Sequence, residues 1–452
     1  MGNRDNAIDY AKKLEDLCIQ NDAVSKELYQ QYGVKRGLRD ENGKGVLTGL
    51  TNISEITAFK NVDGKQVPCD GQLLYRGYDV KDLVRGSKNR RFIFEEGAYL
   101  LLFGELPSTT QLNEFRKIIA DCMEMPTNFT RDVIMKAPSH DIMNSMTRSV
   151  LTLASYDDDT ADLSISNVLR QSIQLISLFP MMAVYAYHAY NHYENNDSMY
   201  IHRPDPNLSI AENFLRMLRP DMQFSHLEAN VLDVALLLHM EHGGGNNSTF
   251  TTRVVTSSGS DTYSAIAAAL SSLKGKKHGG ANIMVMKMME DIRAHVPNAE
   301  NEPQLREYLD KILNKQAFDH KGLVYGMGHA VYSLSDPREV IFKDFVEQLA
   351  KNKDREEDMA LYNNVEKIAT ELIAKERKIY KGVSPNVDFY SGFVYDMLGI
   401  PVELYTPLFA IARIVGWCAH RIEELTTAKK IIRPAYKAIS DYRAYIPYDE
   451  RQ

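Results

Sequence analysis

Cysteine is scarce in this chain of 452 residues, and the few that occur lie far apart, at Cys18, Cys69, Cys122 and Cys418. No two of them form a CxxC pair, so the sequence offers no zinc-binding pattern. Such sparse use of cysteine is typical of proteins in reducing compartments. We therefore expect a cytoplasmic protein that holds no metal.

Long apolar runs are missing as well. No segment reaches the eighteen or more apolar residues that a membrane-spanning helix needs. The first residues, MGNRDNAIDYAKKLEDL, include acidic side chains and lack an apolar core, which predicts neither a signal peptide nor a transit peptide. These absences predict a protein that contacts no membrane.

An excess of positive charge is absent too. The chain has 53 Lys and Arg against 60 Asp and Glu, a net charge of −7, which argues against a nucleic-acid partner. Its apolar share of 44% is ordinary for a globular protein and is ample for a large core. The length fits two domains, or one large domain with an insertion.

Periodicity predicts a chain built mostly of helices. Residues 7–32 place apolar side chains at helical spacing among charges, which predicts an N-terminal arm of one or two amphipathic helices. Residues 37–80 are rich in glycine and β-prone residues and predict short strands or turns rather than a sheet domain. From Glu95 onward helical patterns dominate.

Two histidines follow predicted helices and precede runs of glycine. His242 ends the apolar segment VLDVALLLHMEH, and His278 follows the alanine-rich segment SAIAAALSSLKGKK, whose helix is predicted to end near Gly275. Glycine just past a helix is a common stop signal, and for either run alone we favour this simpler interpretation. The alternative is that glycine lets the backbone approach a ligand beside a group that moves protons near neutral pH.

A third segment, GLVYGMGHAVYSLSDPR at residues 322–338, contains His329 directly after a glycine. Asp336 and Pro337 form a strong helix start, with Asp as the N-cap and Pro at the first helical position. Arg338 then lies in the first turn, where the helix already favours anions and a guanidinium adds a bidentate donor for a carboxylate. The simpler alternative is an arginine on a solvated first turn.

Two charged residues fall within apolar stretches nearer the C-terminus. Asp388 is flanked by apolar side chains, so it is either a candidate base or a helix-start residue after Ser384 and Pro385. Arg413 lies in the middle of a helix predicted at 406–425, which is apolar nearly all round and therefore buried. Because a buried arginine without a partner is costly, either an acidic side chain or an anionic ligand must pair with it.

Four segments, in this order and spacing, resemble the citrate synthase family of acyl-CoA condensing enzymes: HGGAN, GMGHAVYSLSDPR, NVDFYSG and ARIVGWCAH. The likeness extends from near Asp70 to near Arg433, about four-fifths of the chain. It implies an all-α fold, in which a smaller helical domain closes over the active site on a large helical domain, and a homodimer. The predicted parts are an N-terminal arm at 1–40, a large domain at 41–278 and 392–452, and a small domain at 279–391.

The resemblance implies a chemical role for three residues. His278 matches the histidine that hydrogen-bonds the acetyl thioester oxygen and helps to enolise it. Asp388 matches the carboxylate that removes the methyl proton, and His329 matches the histidine that polarises the ketone of oxaloacetate. This division of labour makes chemical sense, because an aspartate alone is too weak a base for a thioester methyl and needs a donor on the carbonyl oxygen.

The resemblance also implies binding residues. His242, Arg338 and Arg413 match the residues that grip the dicarboxylate, and Arg433 matches the arginine that reaches into the neighbouring subunit's site. The loop that cradles the adenine of coenzyme A corresponds to the backbone of Val324, Tyr325, Gly326, Met327 and Gly328.

Two departures from the family pattern concern the edges of this site. Where the family often has a basic residue that meets the coenzyme A phosphates, this chain has the run 333–335, Ser-Leu-Ser. Lys276 and Lys277 are the nearest alternative candidates by sequence. The segment RPAYK also lacks the glutamine that often follows the RP dipeptide. Neither departure touches the acid–base residues.

Several alternatives stay open. A 2-methylcitrate synthase would use propionyl-CoA with the same residues, and a catalytically silent scaffold would keep only the fold. A metal hydrolase would use His239 and His242, but no HExxH motif occurs and His239 closes an apolar helix, as a core histidine does. We predict a citrate synthase that acts on oxaloacetate and acetyl-CoA, with the coenzyme A thioester as co-substrate and no permanently bound cofactor.

Overall fold

The computed structural model describes residues 4–40, 45–87, 90–298, 300–328, 332, 334–376, 383–427 and 429–451. Helices account for 60% of the chain and strands for 6%, which confirms the predicted all-α class. The chain divides into two compact units, Met1–Leu50 and Thr51–Gln452. The division of the second unit into a large and a small domain stays a prediction.

The first unit confirms the helices predicted for the N-terminal arm, which are α1 (Arg4–Asp22) and α2 (Lys26–Gln31). Nearly all described side chains of α1 are exposed, and Leu14 is half-buried. Because this helix buries so little within its unit, its local sequence contributes more to its stability than packing does.

The second unit begins with an antiparallel sheet whose two main strands are longer than the short strands or turns that the sequence predicted. The turn between them explains the difference. Asp63 and Gly64 both have positive φ angles, 52° and 76°, and such a two-residue turn matches the twist of a hairpin. The strands are β1 (Ser54–Val62), β2 (Lys65–Tyr75) and β3 (Tyr78–Asp79).

Helices make up most of the rest of the second unit. In chain order they are α3 (Val80–Gly86), α4 (Ile93–Phe103), α5 (Thr109–Asp121), α6 (Ile142–Leu153), α7 (Ile165–Asn195), α8 (Ile210–Leu218), α9 (His226–His239), α10 (Asn247–Ser257), α11 (Thr262–Leu273), α12 (Ala281–His295), α13 (Glu302–Leu313), α14 (Pro337–Asn352), α15 (Glu356–Glu376), α16 (Val387–Met397) and α17 (Tyr405–Thr427). Shorter turns are a π-helix at Thr130–Ile134 and 3-10 helices at Ala154–Tyr156, Val402–Leu404 and Tyr448–Glu450.

Helix α17 lies at the centre of the core, as its apolar sequence predicted. It packs against α4, α7, α9, α10 and α11. Gly416 allows a close approach to the end of α9, since a methyl group there would lie 2.6 Å from the carbonyl oxygen of Met240. By length and composition the segment Val402–Thr427 could cross a membrane, but 83% of its apolar window is buried, as in the core helix of a globular protein.

Helix boundaries near the predicted site agree with the sequence signals. Asp336 is the N-cap of α14, its carboxylate accepts from the backbone N–H of Arg338, and Pro337 is the first helical residue. Helix α11 ends at Leu273, close to the predicted end near Gly275. Capping and glycine signals act within a few residues, which is why they could be read without the tertiary structure.

Candidate active site

One face of α17 carries a stripe of polar side chains through an otherwise apolar helix. Arg413, Trp417, His420 and Glu424 follow one another at intervals of three or four residues and therefore share that face. All of them are buried. Because buried polar groups require partners, this face determines what can pack against α17.

Arg413 is the central cation of the site. Its side chain is 2% exposed, its Nε donates to the carbonyl oxygen of His239 at 2.8 Å, and its guanidinium lies 4.6 Å from the ring centroid of Phe409. Within the described ranges, neither terminal guanidinium nitrogen has a hydrogen-bond partner. Burial lowers the pKa of Arg413 to about 10, against the opposing charge of Glu241. The arginine therefore presents two donors suited to an anion.

Arg338 is buried in the first turn of α14 and forms an ion pair with its own N-cap. Its Nε donates to Oδ1 of Asp336 at 3.0 Å and its Nη2 donates to Oδ2 at 2.7 Å. Burial alone would lower the pKa of Arg338, but the adjacent Asp336 outweighs burial and raises it above its ordinary value. The sequence predicted Asp336 as a cap and missed its second role, which is to orient the guanidinium.

His242 follows the end of α9 by three residues, in a segment that two tyrosines contact. Its ring makes an edge contact with Tyr332, the ring centroids being 5.6 Å apart. The hydroxyl of Tyr75 lies 3.0 Å and 3.1 Å from the carbonyl oxygens of Leu237 and Glu241. Strand β2 thus supports the backbone that carries His242, a contact between distant segments that the sequence did not predict.

Glu241, the residue before His242, lies at the end of a chain of hydrogen bonds that runs from Arg253 through His420. Nη2 of Arg253 lies 2.7 Å from Nδ1 of His420, and Nε2 of that ring lies 2.9 Å from Oε1 of Glu241. Because arginine only donates, Nδ1 of His420 accepts and its Nε2–H donates to the carboxylate. Arg253 also forms ion pairs with Glu423 and Glu424.

Glu241 is the carboxylate whose charge acts most strongly on the pKa of Arg413. Burial would raise the pKa of Glu241, but His420, Arg413 and the hydroxyl of Ser54 outweigh burial and lower it. None of the ion pairs among the described residues joins Glu241 to Arg413 directly. The sequence left open whether an acidic side chain or a ligand meets Arg413. The structure shows a carboxylate whose charge acts on Arg413 and, among the described residues, no hydrogen-bond acceptor on its terminal nitrogens.

His278 contacts the N-terminus of α10. The backbone N–H of Ser248 donates to Nε2 of His278 at 3.3 Å, and Oγ of Ser248 lies 2.9 Å from the same atom. A backbone N–H cannot accept, so Nε2 is the acceptor and the ring proton resides on Nδ1. Burial lowers the pKa of His278 to about 4, and the charge of Arg413 adds to this effect. His278 is therefore a neutral hydrogen-bond donor near pH 7.

Asp388 lies in the first turn of α16, and the loop before this helix is hydrogen-bonded to the glycine loop at 326–328. The backbone N–H of Gly328 donates to the carbonyl oxygen of Ser384 at 2.7 Å, and that of Asn386 donates to the carbonyl oxygen of Gly326 at 2.9 Å. Gly326 has a φ of 78°, and a methyl group there would meet Phe389 at 2.8 Å. These contacts fix the glycine loop that precedes His329 against the start of the helix that carries Asp388.

The charged groups are close enough to perturb one another. Burial raises the pKa of Asp388 to about 6, and the charges of Arg338 and Arg413 act against this rise. Arg413 also acts on His278. The structure therefore brings together Asp388, His278, Arg338 and Arg413, which lie far apart in sequence. Such strongly shifted groups in one place are typical of a functional site.

His329 lies outside the described residues. Of the loop before it, Val324 and Gly326 are buried, and the hydroxyl of Tyr325 donates to Oδ2 of Asp319 at 2.6 Å. Met327 forms an isolated bridge with Pro385. The predicted adenine loop is thus a well-supported turn, and its contact with coenzyme A stays a prediction.

Three predicted basic residues lie at the surface. The side chains of Lys276 and Lys277, next to His278, are exposed, and so is that of Arg433 in the C-terminal segment. Among the described residues, no hydrogen bond or ion pair joins Arg433 to another predicted site residue.

His239 behaves as a core histidine. It is 1% exposed, its Nδ1 lies 2.8 Å from the carbonyl oxygen of Ala235, and burial lowers its pKa to about 3. Within the part of the chain that the structure describes, no group of three or more His, Cys, Asp or Glu side chains is placed to hold a metal ion.

Known proteins have sequences similar to this one. A family model described as citrate synthase, C-terminal domain, matches residues 42–435. A citrate synthase from Synechocystis is 36% identical over 86% of this chain and 90% of the relative. A 2-methylcitrate synthase from Corynebacterium glutamicum is 31% identical over 92% of this chain and 98% of the relative.

Solved structures share the fold. The citrate synthase of Pyrobaculum aerophilum superimposes with a TM-score of 0.74 at 28% identity, covering 92% of this chain and 98% of its own. The citrate synthase of Thermoplasma acidophilum, in a ternary complex with carboxymethyl coenzyme A and oxaloacetate, gives 0.73 at 26% identity, covering 90% and 97%.

The raised pKa of Asp388 predicts a stability effect. Above about pH 6 the folded protein holds a carboxylate whose charge its surroundings disfavour, whereas the unfolded chain ionises it freely near its ordinary pKa. We expect Asp388→Asn to raise the melting temperature of the ligand-free protein at neutral pH. The gain should shrink as the pH falls from about 6 to about 4.

Asp157 provides a control of opposite sign. Bonds from Tyr263, Gln171 and Arg170 outweigh burial and lower its pKa to about 2, so Asp157→Asn should reduce the melting temperature at neutral pH. Melting curves across this pH range test both variants. A melting temperature for Asp388→Asn at or below that of the wild type at neutral pH would contradict the prediction.

Proposed function

The chain belongs to the citrate synthase family, and we propose that the residues of the candidate site carry out its reaction, in which acetyl-CoA, oxaloacetate and water give citrate and coenzyme A. The enzyme is an acyltransferase that converts acyl to alkyl on transfer. The observation that supports this assignment of residues most is the group formed by a neutral donor histidine, a half-buried carboxyl with a raised pKa and two buried arginines.

His278 and Asp388 make the nucleophile. Asp388 removes a proton from the thioester methyl while Nδ1–H of His278 donates to the thioester oxygen, so that negative charge never accumulates on an unsupported enolate. The pKa of about 6 suits Asp388 to this task, because the base is ionised at neutral pH yet retains an appreciable affinity for a proton.

The new carbon nucleophile attacks the ketone of oxaloacetate, whose oxygen His329 polarises. The carbon–carbon bond forms as the thioester carbonyl is restored and the ketone oxygen takes up the electron pair of its C=O bond together with a proton from His329. Water then cleaves the resulting thioester and releases citrate and coenzyme A. Closure of the small domain, 279–391, over the site would exclude water until condensation has occurred.

The cationic groups hold oxaloacetate. Its two carboxylates match the available terminal nitrogens of Arg413 and the pre-oriented guanidinium of Arg338, with His242 nearby. Lys276 and Lys277 are exposed beside His278, which supports a role in meeting the coenzyme A phosphates. No metal or permanently bound cofactor is needed in this scheme.

A homodimer with shared active sites is part of this proposal. After α17 the described chain runs to residue 451 with a single short helical turn, Tyr448–Glu450. The segment exposes large aromatic side chains that a partner surface would cover: Tyr436, Tyr442, Tyr445 and Tyr448 are each more than three-quarters exposed. Arg433, near the start of this segment, could then complete the site of the second copy.

We also propose a cytoplasmic location, since all four cysteines are free thiols, as expected in a reducing compartment.

Initial rates of thiol release test the function. Oxaloacetate is supplied with either acetyl-CoA or propionyl-CoA, and we expect a higher kcat/KM for acetyl-CoA. A preference for propionyl-CoA would favour a 2-methylcitrate synthase, a reaction named among the relatives. Release with neither thioester would indicate a silent scaffold.

Replacement of the base tests the mechanism. Asp388→Asn keeps the shape of the side chain and removes the proton acceptor, so turnover should fall by about 10²–10⁴-fold. Oxaloacetate binding should change little, and Trp417, the single tryptophan of the chain, can report it by fluorescence. A variant that keeps more than about a tenth of wild-type turnover would place the base elsewhere.

Replacement of the arginines tests the binding site. Arg413→Leu and Arg338→Leu should each weaken oxaloacetate binding by about 2–5 kcal/mol, because each leaves a ligand carboxylate without its partner. If Arg413→Leu also raises the melting temperature of the ligand-free protein, the buried charge is retained for binding at a cost in stability.

Arg421, on the same helix, is a matched control. It is equally buried, but its guanidinium donates to neutral oxygens of Thr256, Ser260 and Thr262. Arg421→Leu should lower thermal stability and leave oxaloacetate affinity unchanged. Equal loss of affinity in Arg421→Leu and Arg413→Leu would assign Arg413 a structural role.

Mixed dimers test the role of Arg433. If Arg433 acts in the partner's site, a mixture of inactive Asp388→Asn and inactive Arg433→Ala chains produces mixed dimers with one intact site each. Random pairing gives about half mixed dimers, so activity should recover to roughly a quarter of wild type. No recovery, with dimers confirmed by light scattering, would show that Arg433 serves its own subunit or none.

A further inference from the structure

Trp417 contacts the site through its single polar atom. It is completely buried on α17, one turn beyond Arg413, and its indole Nε1–H donates to Oγ of Ser248 at 3.1 Å. An indole N–H donates and never accepts, so the direction of this bond is certain. The hydrogen bond reaches the same serine that contacts His278, and the proposed function above gives Trp417 no part in the chemistry.

Ser248 sits where the end of a helix meets the catalytic histidine. It is the second residue of α10, and the N–H groups in the first turn of a helix have no acceptor within the helix. The N–H of Ser248 finds its acceptor in Nε2 of His278. The partial positive charge at this helix end also disfavours a proton on Nε2.

The hydroxyl of Ser248 has two acceptors within reach. Its Oγ lies 2.9 Å from Nε2 of His278 and 3.1 Å from Oδ1 of Asn246. Oδ1 of Asn246 already accepts from the backbone N–H of Thr249, whereas the single lone pair of Nε2 meets the backbone N–H of Ser248 only at 3.3 Å, so the hydroxyl at 2.9 Å is the shorter donor to Nε2. The incoming bond from Trp417 occupies a lone pair of Oγ and so restricts the directions in which the hydroxyl proton can point.

We propose that Trp417 is a positioning residue for enolisation, which acts through Ser248 to hold His278 with Nε2 as acceptor and Nδ1–H as donor to the thioester oxygen. This proposal rests on the proposed function. A neutral imidazole can carry its proton on either nitrogen, and only the Nδ1–H form offers a donor at the free end of the ring. In the other form a lone pair would face the thioester oxygen.

Helix α17 also carries residues that serve two different steps of the reaction. Arg413 binds the acceptor substrate, and Trp417 supports the group that activates the donor substrate. Because both lie on the same face of α17, a rigid core helix fixes the position of both groups before substrate arrives.

Trp417→Phe is the direct test, since it keeps an aromatic ring and removes the N–H. Losing one neutral hydrogen bond corresponds to roughly a 2- to 13-fold effect, so we expect turnover to fall within this range while the KM for oxaloacetate stays unchanged. With acetyl-CoA deuterated at the methyl group, the isotope effect on turnover should increase, because enolisation alone is slowed. Ser248→Ala should show a larger loss, and adding Trp417→Phe to it should have no further effect.

The tautomer itself can be read in the free enzyme. ¹⁵N-histidine labelling, with His278 assigned by its disappearance in His278→Gln, should show Nδ1 protonated in wild type and a mixture of tautomers in Trp417→Phe. Phe179→Leu is the control, because Phe179 is buried in α7, which packs against α17, and has no part in the site. It should lower the melting temperature without changing the tautomer or the isotope effect.

Two results would overturn the proposal. One is a wild-type tautomer and isotope effect retained in Trp417→Phe. The other is an equal loss of turnover in Phe179→Leu and Trp417→Phe at matched melting temperatures. The ¹⁵N spectra need no substrate, whereas thiol release by the wild type tests the reaction, so a failure of the proposed function is distinguishable from a failure of the positioning role.

Discussion

The site depends on one buried positive charge, the guanidinium of Arg413, held in the middle of an apolar helix. A charge in this position is costly unless something opposes it, and the protein opposes it only in part. Glu241 lies near enough to act on its pKa, while the terminal nitrogens stay without a hydrogen-bond partner among the described residues. The site is therefore preorganised for an anion, and in the function we propose a carboxylate of the substrate supplies the missing negative charge.

The same cation influences the acid–base groups around it. It favours a neutral His278, and it acts with Arg338 against the rise in the pKa of Asp388 that burial causes. A neutral donor and an ionisable base are the pair that enolisation requires. Supporting contacts then fix these groups. The start of α10 orients His278, and the paired loops at 326–328 and 384–386 place Asp388.

Several aspects of the fold and the site follow from the sequence by local rules. Periodicity predicts the N-terminal helices and the buried α17, and capping residues predict the start of α14 at Pro337. The four family segments predict Asp388, His278, Arg338 and Arg413 as site residues, and in the structure Arg413 perturbs the pKa of both His278 and Asp388 while Arg338 perturbs that of Asp388. For residues 37–80 the sequence predicted short strands or turns and not the long β1–β2 hairpin, although the Asp63-Gly64 pair was a usable signal.

Only the tertiary structure decided which partners these residues have. The contact of Trp417 with Ser248 spans 169 residues, and that of His420 with Glu241 spans 179. No periodicity or motif reaches so far, because helix spacing and capping act through neighbours a few residues apart. By itself the sequence determined the helical class, the family and the residue types of the site. The contact with the start of α10 determined the tautomer of His278, and the packing around α17 determined which donors of Arg413 meet no acceptor among the described residues, because both depend on groups that are distant in sequence.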